Sequence, residues 1–308
     1  MLADVAGPVA AAVSGGADSL ALAAGLAFER PGSFAFIVDH GLQTGSDQVA
    51  ARAADQCRDL GLTAHVLCAA SRSSGISPGP DRVSSPKILD GGGPEASARS
   101  LRYELLDAAA GQHGVEVVLV GHTQDDQAET VLLGLARGSG GRALAGMAAA
   151  RGIFRRPLLG LDRATTRAAC AEAGLEPWDD PHNHDPSYTR VRVRSRVLPV
   201  LGEELGPGVT AALARTARQL REDADALDAL TPDLPDEPDC GAVAELPGAL
   251  RSRALKRWAE RLSGSAVTAV HVDALRALVE DWSGQGPVDL PGRVRIRRTD
   301  GRLTARGG

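Results

Sequence analysis

Four apolar runs in the first half of the chain are each short enough to be one buried strand: PVAAAV (8–13), SFAFIVDH (33–40), TAHVLCA (63–69) and VEVVLVGH (115–122). Helix-like segments lie between them, beginning with LALAAGLAF (20–28). Alternating strands and helices are typical of an α/β fold in which helices cover both faces of a parallel sheet. The pattern therefore predicts a doubly wound, mainly parallel, Rossmann-like sheet, with ligands bound beyond the carboxyl ends of its strands.

Polar residues follow three of these strands directly. They are Ser14-Gly15-Gly16, Asp39-His40 and Gly121-His122. Because parallel strands all end at the same edge of a sheet, we expect these three pieces of sequence to converge on one crevice.

The segment SGGADS (14–19) is the most informative motif of the chain. Two glycines allow a tight turn, so that backbone amides can point at an anion where the helix dipole is positive. Those amides belong to Ser14, Gly15, Gly16 and Ala17, and pyrophosphate is the natural occupant. A buried carboxylate at Asp18 is costly unless a metal or another cation pairs with it. The chain has no GxxxxGK[ST] sequence, so this is not a Walker-type loop; the alternative is a plain glycine turn between strand and helix.

A second, helical domain is predicted from about residue 201, where the strand pattern ends. Its helices are interrupted by the acidic, proline-rich TPDLPDEPD (231–239), and a terminal hairpin is predicted around Asp300-Gly301. Residues 71–94, rich in Ser, Gly and Pro, are either a lid or a tolerated insertion in the first domain. The predicted division is a first domain at 1–200, a helical domain at 201–285 and a basic hairpin at 286–308.

Two acids lie on one face of a predicted helix that begins near Thr123. Asp126 and Glu129 are three residues apart, and His122 comes just before them at the strand end. Together the two acids could hold a cation; alternatively, acids in a first turn only complement the helix dipole. The apolar positions of this helix should pack against the sheet, and they are Ala128, Val131, Leu132 and Leu135.

Arginines cluster after this helix. Arg137 and Arg142 flank a glycine-rich loop, and further arginines follow at Arg151, Arg155 and Arg156. A denser run follows at Arg190, Arg192, Arg194 and Arg196, with no acid between them. Strand-like spacing would place this run on one face, where a polyanion is the economical partner, whereas a helix would spread it around the surface. A basic surface balanced by nearby aspartates is the alternative.

Composition excludes several classes of protein. The chain has 308 residues, a formal net charge of −5 and 43% hydrophobic residues, with no apolar run long enough for a membrane span and no secretory signal pattern. Its 4 cysteines form no CxxC pair, so neither a zinc site nor a disulfide framework is indicated. We expect a cytoplasmic protein without a membrane partner. The negative total charge does not exclude binding of nucleic acid, because phosphate binding requires only a local basic surface.

Taken together, the motifs resemble those of the tRNA(Ile)-lysidine synthases, a family of PP-loop ATP pyrophosphatases. The matching stretches are SGGADS, VDHGLQTGSD (38–47), EASARSLRYELL (95–106), GHTQDDQAETVLLGLARGSGGRALAGM (121–147), RPLL (156–159) and residues 178–199. They cover about the first 200 residues in the family's order. Val191 and Val193 depart from the family's usual Asn and Ile, and the 71–94 segment is longer than usual.

The resemblance implies a two-step ligation on a tRNA. Such enzymes use ATP and Mg²⁺ to adenylate O2 of the wobble cytidine in the CAU anticodon of tRNA(Ile), releasing pyrophosphate. The ε-nitrogen of free L-lysine then displaces AMP at C2, so that the anticodon reads AUA instead of AUG and the tRNA is charged with isoleucine instead of methionine. A homodimer is also compatible with the resemblance.

The resemblance further assigns roles to individual residues. ATP would be bound by Ser14, Gly15, Gly16, Ala17, Asp18, Ser19, Asp39, His40, Gly121 and His122. Asp18 would also hold Mg²⁺, and Asp126 with Glu129 would bind the lysine ammonium and accept its proton. Arg137 would steady the phosphate or the developing charge. The tRNA backbone would be contacted by Arg99, Arg102, Arg190, Arg192 and Arg194.

Three other functions stay open on the sequence alone. A tRNA-thiolating enzyme of the same superfamily is disfavoured because those acting on cytidine carry cysteine pairs. A small-molecule amide ligase gives no reason for the arginine run. A regulatory module that binds nucleotide without catalysis is disfavoured by the intact Asp18, Asp126 and Glu129.

Overall fold

A computed structural model describes residues 4–39, 41, 45–68, 94–138 and 140–307. The chain forms two compact units, Met1–Leu220 and Arg221–Gly308. In the parts described, no helix has the length and apolar character needed to cross a bilayer.

The first unit is built on a six-stranded sheet in the order β3-β2-β1-β4-β6-β5. Only the pairing of β5 with β6 is antiparallel. The strands are β1 (Val9–Val13), β2 (Phe34–Asp39), β3 (Thr63–Cys68), β4 (Val117–Val120), β5 (Ala150–Arg151) and β6 (Phe154–Arg155). The four predicted strands are thus present, and the predicted doubly wound, mainly parallel fold is confirmed.

Three helices, α1 (Ala17–Glu29), α2 (Ser46–Asp59) and α3 (Pro94–Gln112), cover the two faces of this sheet. The helices that follow in the chain are α4 (Gln124–Ala136), α5 (Gly141–Leu144), α6 (Arg163–Glu172), α7 (Thr189–Arg192), α8 (Leu198–Leu205) and α9 (Val209–Leu230), the last of which continues past Leu220 into the second unit. Single 3₁₀ turns span Pro157–Gly160 and Pro181–His184, and Val193–Val197 is a π-helical turn. Residues 71–93 of the predicted 71–94 excursion lie outside the described residues. Its last residue, Pro94, is the first residue of α3.

Two apolar cores fix the sheet between its helices. One packs α1 and α2 against β1, β2 and β4, with Leu20 and Ile37 at its centre. The other packs α3 on the opposite face, against Phe36 and Val118. Because β1 lies between β2 and β4, chain connections leave it in opposite directions, and sheets of this kind bind ligands in a crevice beyond the carboxyl ends of the strands at such a point.

The second unit combines helices with a small antiparallel sheet. Its elements are α10 (Cys240–Glu245), α11 (Gly248–Ser263), α12 (Ala269–Glu280), β7 (Val288–Leu290), a 3₁₀ turn Pro291–Arg293, β8 (Val294–Thr299) and β9 (Arg302–Gly307). Ile296 and Leu303 from the sheet are completely buried beside Trp258 and Leu275 of the helices. The terminal hairpin predicted around Asp300-Gly301 is present, and it shares one core with these helices.

Candidate active site

The glycine turn places the N-terminus of α1 at the carboxyl end of β1. Gly15 has a φ of +84°, a left-handed conformation that a side chain would disfavour. The amide of Ser14 donates to Ser19 Oγ at 3.1 Å, and that hydroxyl donates to the Gly16 carbonyl at 2.9 Å. Gly16 is the N-cap and provides no side chain to cap the helix, so the positive end of α1 faces the crevice.

Gly121 allows β4 to end directly against this turn. A Cβ atom at Gly121 would lie only 2.9 Å from the Asp18 carbonyl oxygen and 3.1 Å from Ser19 Cα, both backbone atoms that cannot move aside. Only glycine therefore fits here. The close approach brings His122 and Thr123, which follow Gly121, to the same edge as the turn.

Asp18 lies in the first turn of α1 and is held by α6. Thr166 Oγ1 donates to Asp18 Oδ1 at 2.5 Å, and Arg163 Nε lies 3.6 Å from Asp18 Oδ2. Burial raises the pKa of Asp18, against the lowering effect of Thr166 and Arg163, and the nearby charge of Asp126 raises it further. Burial opposes the negative charge of the Asp18 carboxylate, and a bound cation would stabilise that charge. Asp18 is therefore suited to hold a cation.

Asp126 closes the capping box of α4 and at the same time faces a group of arginines. Its Oδ2 accepts from the Thr123 amide at 2.8 Å and from Thr123 Oγ1 at 3.2 Å. Its Oδ1 lies 3.3 Å from Arg163 Nη2 and 3.6 Å from Arg190 Nη2. Burial alone would raise the pKa of Asp126, but Arg190, the Thr123 amide and Arg163 together lower it. The carboxylate is therefore ionised at neutral pH.

Glu129, one turn further along α4, has a completely buried side chain. Its Oε2 accepts from Arg190 Nε at 2.7 Å, and its Oε1 accepts from Arg194 Nε at 2.7 Å. Arg194 Nη2 adds a second bond to Oε2 at 3.1 Å, and Arg163 Nη2 lies 3.5 Å from Oε1. A buried carboxylate is strongly destabilising without such partners, and the three arginines compensate for the burial of Glu129.

His122 is held as a neutral imidazole. Its Nδ1 accepts from Arg156 Nε at 3.2 Å, which leaves the proton of the neutral ring on Nε2. Burial lowers the pKa of His122 to about 4; Asp126 opposes this shift, while Arg156 contributes to it. Arg156 is itself buried and donates to the Ala148 carbonyl at 2.8 Å and to the Tyr103 hydroxyl at 3.3 Å.

The structure thus brings together most of the acidic residues that the sequence singled out. Asp18, Asp126 and Glu129 lie around one arginine, Arg163, although they come from two helices far apart in the chain. Arg163 also anchors its backbone here, since its amide donates to Asp125 Oδ2 at 2.8 Å.

Some of the other predicted site residues that the structure describes make no direct contact with these acidic residues. Asp39 ends β2 and accepts from the Gly41 amide at 2.9 Å, whereas His40 lies outside the described residues. Arg137 is exposed at the C-cap of α4, roughly 12 Å of helical rise beyond Glu129. In this conformation Arg137 does not reach the acidic residues. Arg99 and Arg102 are exposed on α3, one helical turn apart.

The arginine run is helical, which is the second of the two arrangements that the sequence left open. Arg190 lies on α7 and Arg194 on the π-helical turn after it, and both side chains point at Glu129. Arg192 instead donates to the carbonyls of Pro186 and Ser187 at 2.6 and 2.8 Å, and Arg196 is exposed. The run therefore spreads over several directions, as expected for a helix.

The packing expected of α4 also needs a correction. Ala128 and Val131 are buried as predicted, but the side chain of Leu135 is 61% exposed. Ala128 and Leu132 pack against Val193 and other residues of the arginine segment rather than against the sheet alone. This contact explains why the segment is helical, because α4 offers it an apolar face beside Glu129.

Sequence reasoning missed Arg163, Thr166 and the pairing of Arg156 with His122. The sequence offered one local signal for Arg163 and Thr166: Asp162 caps α6 by accepting from the Thr165 amide at 2.7 Å, which places Arg163 at the start of a helix. Thr166 and Asp18 are 148 positions apart, so no local pattern could have paired them.

Comparisons with known proteins agree with this geometry. The PP-loop domain family matches residues 4–201, and the TilS substrate binding domain family matches residues 239–304. The tRNA(Ile)-lysidine synthase of Leifsonia xyli subsp. xyli is 52% identical over 95% of this chain and 87% of the relative. That of Streptomyces coelicolor is 48% identical over 97% of this chain and 85% of the relative.

A solved structure shares the fold at low sequence identity. The U34-tRNA thiolase NcsA from Methanococcus maripaludis aligns with a TM-score of 0.55 and 19% identity, covering 71% of this chain and 75% of the thiolase. The likeness extends to the fold alone. Since the PP-loop domain covers more than half of the chain and relatives about half identical span nearly all of it, the chain belongs to the tRNA(Ile)-lysidine synthase family.

Proposed function

We propose that this protein joins free L-lysine to C2 of the wobble cytidine in the CAU anticodon of a tRNA(Ile), with ATP as the activating substrate. The observation that carries the proposal is that Asp18, in the helix turn that follows the glycine turn, and the acidic pair Asp126 and Glu129 lie around one arginine, Arg163. The first step requires a PP-loop turn, which holds the departing pyrophosphate. The second step requires an acidic pair, which binds the attacking amine and accepts its proton.

In the first step, cytosine O2 attacks the α-phosphorus of ATP and pyrophosphate leaves. The β- and γ-phosphates would be held by the amides of the glycine turn and by the positive end of α1, which stabilise the charge of the leaving group. The neutral His122 can donate from Nε2, and we assign it to the nucleotide together with Asp39 and Gly121.

Mg²⁺ fits the residues present, with Asp18 as its protein ligand. Magnesium is usually bound by one or two carboxylates together with substrate phosphates, and Asp18 is a carboxylate beside the predicted phosphate position. Among the described residues, no group of three or more His, Cys, Asp or Glu side chains forms a dedicated metal cage. When bound, the ion would neutralise the charge that develops on the phosphates.

In the second step, the lysine ε-nitrogen attacks C2 and AMP leaves. The attacking amine must be neutral, and deprotonating an ammonium of pKa near 10.4 at pH 7 costs roughly 4 to 5 kcal/mol. Asp126 and Glu129 would bind the ammonium, and one of them would accept its proton as the carbon–nitrogen bond forms. Arg137 lies at the C-cap of α4, next to the glycine-rich loop. It would reach a phosphate of the nucleotide only after that loop moves toward the crevice.

The tRNA would be bound by surfaces on both units. On the first unit these would be Arg99 and Arg102 of α3 and, from the arginine run, Arg190, Arg192 and Arg194. On the second unit, the solvent face of the hairpin is strongly basic and carries Arg295, Arg297, Thr299, Arg302, Thr304 and Arg306.

Like charges lie directly opposite each other on this hairpin. Arg295 of β8 pairs with Arg306 of β9, an arrangement that destabilises a hairpin unless an anion lies over it. Asp289 neutralises only Arg295, at 2.6 Å. Together with the match to a substrate-binding domain family, this supports the hairpin face as a surface for RNA phosphates.

The decisive experiment supplies the protein with ATP, Mg²⁺, labelled L-lysine and an unmodified tRNA(Ile) that carries the CAU anticodon. Label in the RNA that depends on ATP, with one pyrophosphate and one AMP formed per lysine, is the expected result. A tRNA whose wobble base is uridine serves as the matched control and should accept no label. Label on a small molecule without RNA would instead identify an amide ligase. The homodimer stays a prediction, which sedimentation equilibrium would measure.

A further inference from the structure

The acidic pair assigned to lysine is already occupied by cations of the chain itself. Both carboxylate oxygens of Glu129 are engaged, Oε2 by Arg190 at 2.7 Å and Oε1 by Arg194 at 2.7 Å. The free oxygen of Asp126, Oδ1, lies 3.3 to 3.7 Å from the Nη2 atoms of Arg163, Arg190 and Arg194. A lysine ammonium would need the same oxygen atoms.

The charges of this cluster are balanced before any substrate arrives. Three guanidinium groups face three carboxylates, those of Asp18, Asp126 and Glu129. Adding the ammonium of lysine would place a fourth cation against the three arginines in a poorly solvated site, which is unfavourable. The site can accept lysine only when one guanidinium leaves it or an anion enters.

Arg194 is the cation of this cluster whose side chain is hydrogen-bonded to the fewest residues. The Arg163 side chain donates to both Asp126 and Glu129, and Arg190 donates to Glu129 and to the Asp126 carbonyl at 3.3 Å. Within the described ranges, the hydrogen bonds of the Arg194 side chain go only to Glu129. Arg194 also lies on the π-helical turn Val193–Val197, a type of turn that is frequent at functional sites.

We propose that Arg194 occupies the ammonium position on Glu129 in the substrate-free protein, and that phosphate draws Arg194 away and thereby opens the site to lysine. The inference rests on the proposed function, which makes Asp126 and Glu129 the lysine-binding residues. Guanidinium binds phosphate through two parallel hydrogen bonds, so phosphate can replace the carboxylate that Arg194 gives up. Lysine therefore binds after a phosphate-bearing substrate, and the reactive amine is not held at the site before the cytidine can be activated.

Calorimetric titration of L-lysine into the full chain tests this order. Four conditions are compared: the protein alone, with α,β-methylene ATP and Mg²⁺, with unmodified CAU-anticodon tRNA, and with both. If the open state is a tenth or less of the free protein, phosphate should tighten lysine binding by about tenfold or more. The separate nucleotide and RNA arms identify which phosphate acts on Arg194. Equal lysine affinity in all four conditions would overturn the proposal.

Arg194→Gln should bind lysine without phosphate and gain little when phosphate is added. Arg196→Gln is the matched control, because Arg196 is exposed on the same turn and should leave the wild-type pattern intact. L-Norleucine, which has the α-ammonium but lacks the ε-ammonium of lysine, should bind in none of these conditions. If Arg194→Gln does not fold, the phosphate series on the wild-type protein still decides the question.

Failure of this inference can be told apart from failure of the proposed function. Wild-type protein that transfers labelled lysine to RNA but binds lysine equally well without phosphate retains the function and loses the role of Arg194. Protein that never transfers lysine to RNA loses both.

Discussion

At the scale of single residues, burial moves the pKa values of two site residues in opposite directions. It raises the pKa of Asp18, a carboxyl group, and lowers that of His122 to about 4. In both cases the neutral form gains, which is what removal from water predicts. At neutral pH His122 is therefore uncharged, whereas the surroundings of Asp18 oppose its ionised form. A carboxyl group whose pKa is shifted by burial beside specific charged partners indicates function rather than stability.

Asp18→Asn should separate function from stability. Loss of the anionic ligand should lower RNA-dependent pyrophosphate release by roughly a hundredfold or more. Because the pKa of Asp18 is raised in the folded state, its contribution is favourable only below the unfolded value of 3.8 and is lost as pH rises through the folded value. The variant should thus be at least as stable as wild type in urea at pH 7.

The control for this variant is Asp47→Asn, at an exposed position in the first turn of α2. It should change neither the pyrophosphate release nor the urea midpoint. Near-normal pyrophosphate release by Asp18→Asn would show that the glycine turn is only structural.

His122→Gln should change how stability depends on pH. The folded pKa of about 4 lies below the unfolded value of 6.5, so the contribution of His122 to stability is present above pH 6.5 and is lost as pH falls toward 4. One such group gives a slope of at most about 1.4 kcal/mol per pH unit in this window. The variant should lose that part of the slope in urea unfolding measured from pH 7 to 4.5. His184→Gln, at a side chain that is 69% exposed, should keep the wild-type slope; equal slopes in all three proteins would contradict the prediction.

At the scale of elements, the sequence predicted those features that depend on local periodicity. The four strands, the start of α4 at Thr123 and the terminal hairpin are all encoded by neighbouring residues, and all are present. For the arginine run the sequence left strand and helix open, because its alternation with Val191 and Val193 imitates a strand. Its helical form is set by contacts distant in sequence: both valines are buried, and Glu129 holds two arginines one turn apart. Tertiary packing overrides local propensity here.

The basic face of the β8–β9 hairpin provides a prediction for a single element. Replacing Arg297 and Arg306 by Ser removes two exposed charges while leaving the core residues Ile296 and Leu303 in place. If both arginines contact phosphates, the slope of log K against log salt for tRNA binding should fall by roughly 0.7 to 0.9 per arginine. Filter binding between 50 and 200 mM salt, roughly the range in which such contacts weaken, measures the slope.

The matched control is Arg276→Ser on α12. Arg276 belongs to the same unit but is paired with Glu280 at 3.1 Å, so it should contribute little to RNA binding. If the hairpin variant has the same salt slope of tRNA binding as the wild type, this face does not bind the RNA.

At the scale of the whole molecule, a protein of net charge −5 must bind a polyanion through local surfaces. The two units carry separate basic faces, Arg99 with Arg102 on α3 of the first unit and the hairpin face of the second.

If one tRNA contacts both faces, the losses of binding free energy from variants in the two units should add, because the altered residues share no partners. We therefore expect the quadruple variant, with Ser at Arg99, Arg102, Arg297 and Arg306, to show the sum of the two salt-slope changes and the product of the two affinity losses. If the quadruple variant binds tRNA as tightly as the double variant with the larger affinity loss, only one unit binds the tRNA. Pyrophosphate release at saturating tRNA should be nearly normal in all three variants, since none of these residues contacts the acidic cluster that surrounds Arg163.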